Sequence, residues 1–215
     1  GDIKGLRVGL LRRFFLESGV PEVRQAVERA AKTLESLGAV VDEVELPSVN
    51  DVALASFAIV GAEALAYHAQ WLRTRAADYQ PDVAQRLRMG AFVSGLQYVR
   101  GQQARALVRA EVDEALARRD VLLAPATPLA APLLGENETT LGDGPSDVRS
   151  ALIRLTRPFN FSGHPACAVP CGFTAAGLPI GMQLVGRPFD EATVLRAADA
   201  YQRATDWQAR RPPLA

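Results

Sequence analysis

Residues 158–186 read PFNFSGHPACAVPCGFTAAGLPIGMQLVG, and the fold is decided here. Residues 166–170 and 180–185 are short apolar runs rich in branched side chains, punctuated by Gly163, Gly172, Gly177, Gly181 and Gly186. That is the pattern of two buried strands joined by a tight connection. Pro170 lies inside the first run and removes one ladder donor, so this strand is expected to bulge or end there.

Working outward, residues 5–11 (GLRVGLL) read as a strand and residues 21–37 as an amphipathic helix. Val23, Ala26, Val27, Ala30, Ala31, Leu34 and Leu37 share one helix face, Pro21 suits the first turn and Gly38 the stop. Residues 40–46 (VVDEVEL) alternate as a half-buried strand, and strand, helix and strand with short links predict a parallel pair. The turn RRFFLESG after the first strand lacks the closely spaced glycines of a dinucleotide site. From residue 50 to residue 119 the pattern is helical. Asn50 suits a cap, residues 59–72 (IVGAEALAYHAQWL) form a mostly apolar helix, and Pro81 opens another. A long helix over residues 95–118 has Ala104, Leu107, Val108, Val112, Ala115 and Leu116 as its expected buried stripe.

Residues 121–124 (VLLA) read as a continuous apolar strand. Residues 129–148 show no period and read as a long functional or mobile loop. Residues 190–205 form a final helix with Ala192, Val194, Leu195, Ala198 and Tyr201 inward, and the tail RRPPLA reads as disordered. Together these predict a single α/β unit over residues 1–215: about five strands in a mixed β-sheet, flanked by α-helices on both faces.

Composition narrows the functions. With 24 basic and 24 acidic residues the chain has no net field to draw nucleic acid or an anionic membrane. No stretch is expected to span a membrane, and the arginines after the first apolar run are in the wrong order for a secretory signal. Cys167 and Cys171, four apart on one strand, would stand about 13 Å apart, too far to bridge. Free thiols and no signal together predict a cytoplasmic protein. The two histidines and two cysteines offer neither a metal set nor a thiolate–imidazole pair, so His164 reads as a turn residue, Cys167 and Cys171 as structural, and no metal or cofactor is expected.

The ordered elements Asn160-Phe161-Ser162-Gly163-His164-Pro165-Ala166, Val169-Pro170-Cys171-Gly172, and Gly177-Leu178-Pro179-Ile180-Gly181-Met182-Gln183-Leu184-Val185-Gly186 resemble the C-terminal part of the amidase signature family. Upstream, Glu63-Ala64 with His68, Arg86-Leu87 with Gly90, and Asp120-Val121-Leu122 through Pro125 and Pro128 extend the resemblance. It implies a larger mixed sheet and a serine hydrolase of carboxylic amides, using a serine nucleophile, a cis-serine relay and a lysine base. None of these three is expected here: the chain has no Ser-Ser pair, and its only lysines are Lys4, ahead of a strand, and Lys32, on the polar side of a helix. The resemblance therefore implies a C-terminal half that shapes the substrate pocket, with the catalytic half as its missing N-terminal partner.

Arg86, Thr127, Asn160 and Ser162 are the expected substrate-binding residues, set around the ends of the strands near Val121 and Ala166. Each also has a structural reading: Arg86 as a helix-surface ion pair, Asn160 and Ser162 as caps of the turn at Gly163. One subgroup of the family is the A subunit of the glutamyl-tRNA amidotransferase, in which the threonine of a T-x-P-x-N element is preceded by an aspartate three residues earlier. Here Ile153 precedes Thr156-Arg157-Pro158-Phe159-Asn160. A general amidase acting on a small amide is thus the first expectation and the tRNA-linked amidotransferase the second. A non-catalytic module that binds a ligand, a partner protein or a second copy is the reading from another class.

Overall fold

A computed structural model describes residues 1–211. The elements in chain order are β1 (Arg7–Leu11), α1 (Pro21–Ser36), β2 (Val40–Val44), α2 (Val52–Thr74), α3 (Pro81–Met89), α4 (Gly95–Ala117) and β3 (Val121–Pro125). There follow β4 (Glu138–Leu141), β5 (Gly144–Asp147), α5 (Val148–Arg154), α6 (Arg157–Ser162), β6 (Ala166–Phe173), β7 (Pro179–Gly186) and α7 (Glu191–Arg203). Five strands form one sheet in the order β2-β1-β3-β7-β6. The predicted β1–β2 pair is parallel, as is β1–β3, whereas β7 runs antiparallel to both β3 and β6.

Alternation along each strand sends side chains to opposite faces, and each face acquires its own core. On one, Val8, Leu10, Leu123, Met182 and Leu184 pack against the apolar stripes of α1 and α7. On the other, Leu11, Leu122, Ala124 and Val185 pack against α2, α4 and α6. The register shift in β6 falls between Pro170 and Gly172, where the missing proline N–H leaves a rung unpaired. Thr174 to Leu178 closes the β6–β7 connection with Gly177 at φ 81°.

Several expectations are corrected. Asn50 does not cap α2; it sits in a 3-10 turn over Pro47–Asp51 and its amide donates to the Pro47 carbonyl at 3.0 Å. In α4 Gly101 takes an inward place and Leu107 is 68% exposed; in α7 Ala197 and Ala200 are buried while Ala192 and Leu195 face water. The period of both helices is as expected, but the phase of each stripe depends on what the helix packs against. The aperiodic stretch holds the β4–β5 hairpin, whose Gly142-Asp143 loop is a two-residue turn. Its Leu141 is buried with Leu129 and Ala151. Residues 157–162, expected to belong to the loop before Gly163, form α6, opened by Pro158 in its first turn and closed by Gly163 at φ 81°. The expectation of a disordered tail concerns mostly residues 212–215, which lie outside the described residues.

The helix α2 departs furthest from expectation. The segment Pro47–Thr74 has a mean hydropathy of 1.5 over an 18-residue window, long and apolar enough to cross a membrane by length and composition, and 11% of that window is buried. Leu54 is 80% exposed and Tyr67 71%, and Phe57, Val60 and Trp71 also reach solvent. The expectation that no stretch approaches a membrane span therefore does not hold for this segment.

Candidate functional site

The helices α2, α3, α5 and α6 enclose a cleft of about 520 Å³, within the range of small-molecule sites. Phe57 and Val60 of α2, Leu87 and Met89 of α3 and Ile153 of α5 make it apolar. Arg86, Arg149 and Arg157 supply its charge, and no carboxylate stands among the described lining residues. Arg149, Ile153 and Arg157 recur every four residues, so the successive helices α5 and α6 present them along one side. A close approach holds the opposite wall. An added Cβ at Gly90 would lie 2.1 Å from the Gly61 carbonyl oxygen, so only glycine lets the turn after α3 seat against α2.

The four sequence-predicted residues are not gathered at one place. Arg86 lines the cleft, and its Nη1 donates to Asp82 at 2.7 Å, an ion pair one turn back on α3. That pairing lowers the Asp82 carboxyl below its ordinary range. Asn160 is exposed on α6, one turn beyond Arg157. Thr127 follows β3, and its hydroxyl donates to the Leu129 carbonyl at 2.8 Å. Ser162 precedes β6, whose first residue pairs with Val185 and so lies level with Leu122, whereas Thr127 lies beyond Pro125, level with Met182. The sheet thus separates Thr127 from Ser162 by the length of β3.

Ser162 belongs to a different constellation. Its hydroxyl lies 2.8 Å from His164 Nδ1 and 3.3 Å from the Phe159 carbonyl, and His164 Nε2 lies 3.1 Å from Asp113 Oδ1. Burial, with a smaller contribution from the Arg109 charge, outweighs Asp113 and lowers the imidazole pKa, so the neutral ring prevails. The carboxylate accepts only, so Nε2 carries the proton and Nδ1 accepts from Ser162. The order serine, histidine, aspartate is that of a hydrolase triad. Ser162 and the His164 side chain are, however, 0% exposed, so no substrate carbonyl reaches the hydroxyl. The chain of bonds ties α4 to the α6–β6 turn.

Other motif residues also have structural tasks. Asp120 accepts from the backbone and guanidinium of Arg7 at 2.9 Å and from Arg187 at 3.2 Å, which holds its carboxyl well below the usual range and joins the ends of β1, β3 and β7. Glu63 accepts from Tyr98 at 2.9 Å, and His68 meets the Tyr79 hydroxyl at 2.9 Å. Buried Gln183 donates to the carbonyls of Pro125 and Leu155, both at 2.9 Å, fastening α5 over β3. Burial pushes the Cys171 thiol up to about 12, leaving it unreactive, and both cysteines are free. Arg149, Arg157, Asp113 and Gln183 are not among the residues expected from sequence; the four-residue spacing of Arg149, Ile153 and Arg157 was the signal available for the cleft.

Together these elements make a helix-covered mixed α/β sheet with an apolar, arginine-rimmed cleft on one face. The family model for amidases matches residues 1–195, and the chain belongs to the amidase signature family. The A subunit of the glutamyl-tRNA(Gln) amidotransferase of Roseiflexus sp. (strain RS-1) is 39% identical over 238 residues, covering 100% of this chain and 47% of the relative. An amidase of Pseudomonas putida is 39% identical over 213 residues, covering 99% and 46%. Among solved structures, an amidase superposes with a TM-score of 0.86 at 31% identity over 95% of this chain and 46% of its own. The A subunit of the Thermotoga maritima glutamyl-tRNA(Gln) amidotransferase superposes at 0.72 and 27% identity, over 94% and 43%. The chain spans about half the length of the curated relatives it matches.

Proposed function

We propose that this chain is the pocket-shaping C-terminal portion of an amidase that hydrolyses a carboxylic amide to acid and ammonia or amine. The serine nucleophile, cis-serine relay and lysine base come from residues that precede it in the native polypeptide. The observation that carries this reading is the uncovered apolar face of α2: a helix of 23 residues with only Val52 and Ile59 buried has been shaped to be covered. The relatives are about twice as long, which supplies a covering segment of suitable size. Both lysines here are exposed, away from any site that would depress a base. The cleft, open beside that same face, is then one wall of the amide pocket. Ile153 on its lining, where the resemblance expects an aspartate in the glutamine-using subgroup, favours a general amidase over that subgroup. The free cysteines suit a reducing cytoplasm.

The test compares ammonia or amine release by the native polypeptide with that by the 215-residue chain, across glutamine and uncharged aliphatic and aromatic amides. The native polypeptide is expected to be active, the chain alone inactive, and Ser162→Ala in the native polypeptide without effect on kcat. Turnover by the chain alone that disappears on Ser162→Ala refutes the assignment. A marked preference for glutamine moves it to the tRNA-linked amidotransferase.

A further inference from the structure

Resting on the reading of the cleft as the amide pocket, we infer that its substrate carries a carboxylate beside an apolar body, and that Arg149 and Arg157 hold that carboxylate. Arg86 is the obvious candidate from the sequence, but its guanidinium is already engaged by Asp82 at 2.7 Å. Arg154, between the other two in sequence, is committed to Asp143 at 2.5 Å and lies over the Phe14 ring, outside the cleft. Arg149 and Arg157 have no ion pair or side-chain hydrogen bond among the described residues, and both line the cleft.

Arg157 is part-buried, and the guanidinium pKa is lowered, first by that burial and then by the charge of Arg149. Two cations set beside one another at an apolar wall repel, and desolvation weakens each; the arrangement is relieved by an anion between them. An arginine fork pairs a carboxylate in plane through two parallel N–H donors, which fixes orientation as well as affinity. Beyond them Ile153, Leu87, Met89 and Phe57 offer apolar contact, so a ring or branched chain fits the same molecule. The site's volume admits a metabolite-sized acid and not a folded macromolecule.

The experiment uses the native polypeptide and two fluorine-bearing probes of one shape, para-fluorophenylacetate and para-fluorophenylacetamide, titrated by fluorine NMR. The carboxylate is expected to bind at least about tenfold more tightly than the amide, as charge-assisted bonds from a desolvated fork imply. Arg157→Gln is expected to remove that advantage, Arg149→Gln to reduce it by about threefold or more, and Arg157→Lys to retain part of it. Circular dichroism establishes that each variant is folded. Equal affinity for acid and amide, or an unchanged preference in folded Arg157→Gln, overturns the inference. Hydrolysis in parallel separates the two readings. Amide turnover indifferent to a substrate carboxylate leaves the amidase standing and sinks the anion site; tight, arginine-dependent acid binding without amide turnover does the reverse.

Discussion

Replacing Gly90 by alanine probes the contact that shapes the cleft. An ideal Cβ there would stand 2.1 Å from the Gly61 carbonyl oxygen, 2.7 Å from its carbon and 3.0 Å from Leu65 Cβ. A carbon–oxygen contact closes to about 3.3 Å, so the turn after α3 must retreat by about 1.2 Å. The obstacle is backbone within α2 and cannot rotate away, which places the cost near the upper end for overpacking, about 3 kcal/mol. In a chain of this size that corresponds to a fall in Tm of about 6–12 °C. The same retreat carries Leu87 and Met89 away from Val60, so KM should rise more than kcat falls. Urea denaturation and thermal melting of the native polypeptide measure the first effect, and steady-state kinetics the second. Two controls sharpen it. Gly61→Ala, on the other side of the contact, meets nothing nearer than 3.6 Å, and Gly95→Ala meets nothing within 4 Å. Both should be neutral or stabilise by about 0.5–1 kcal/mol through the helix preference for alanine. A Gly90→Ala variant within about 0.5 kcal/mol of the parent refutes the reasoning.

Gln183→Leu leaves the Pro125 and Leu155 carbonyls without their donor and should cost about 2–4 kcal/mol, read as a lower urea midpoint; an unchanged midpoint would show that these carbonyls find water. His164 is held neutral, with its folded pKa below the unfolded value of about 6.5. Its contribution to stability is therefore fully present above about pH 6.5 and declines as pH falls through that value toward the folded pKa, because the unfolded chain takes up the proton first. Unfolding free energy should fall as pH drops below about 6.5, and His164→Asn should flatten that slope; parallel slopes would place the pH dependence elsewhere.

The wide apolar face of α2 gives the family assignment a physical meaning. A helix this hydrophobic and this little buried reads by composition alone like a membrane segment, yet its two buried residues, Val52 and Ile59, belong to the same core as Leu122 and Val185. In the proposed enzyme the remainder of that face meets the catalytic half, so the cleft acquires its reacting groups on assembly. A second copy of the chain could compete for the face in the absence of that half. Sedimentation of the 215-residue chain distinguishes the two: self-association that persists in the native polypeptide would contradict the proposal.

Local patterns were enough to place the five strands of the main sheet, α1, α4, α7 and the irregularity at Pro170, because period and punctuation state which backbone geometry keeps apolar side chains from water. The β4–β5 hairpin was equally legible in Gly142-Asp143, and α6 in Pro158 and Gly163, once those residues are read as turn and cap signals. No local pattern could set the strand order β2-β1-β3-β7-β6, for pairing partners are chosen by burial across segments far apart in the chain. The same distance hid the site. Asp113 reaches His164 across 51 residues, and Arg149 and Arg157 meet Phe57 and Leu87 only after α2 and α3 close on Gly61 and Gly90. Residue order and local chemistry were sufficient for the elements and the family. Tertiary packing settled the surroundings of the arginines: the Asp82–Arg86 pair is legible as a four-residue spacing on α3, whereas only folding brings Arg86, Arg149 and Arg157 to one cleft and part-buries Arg157 beside another cation.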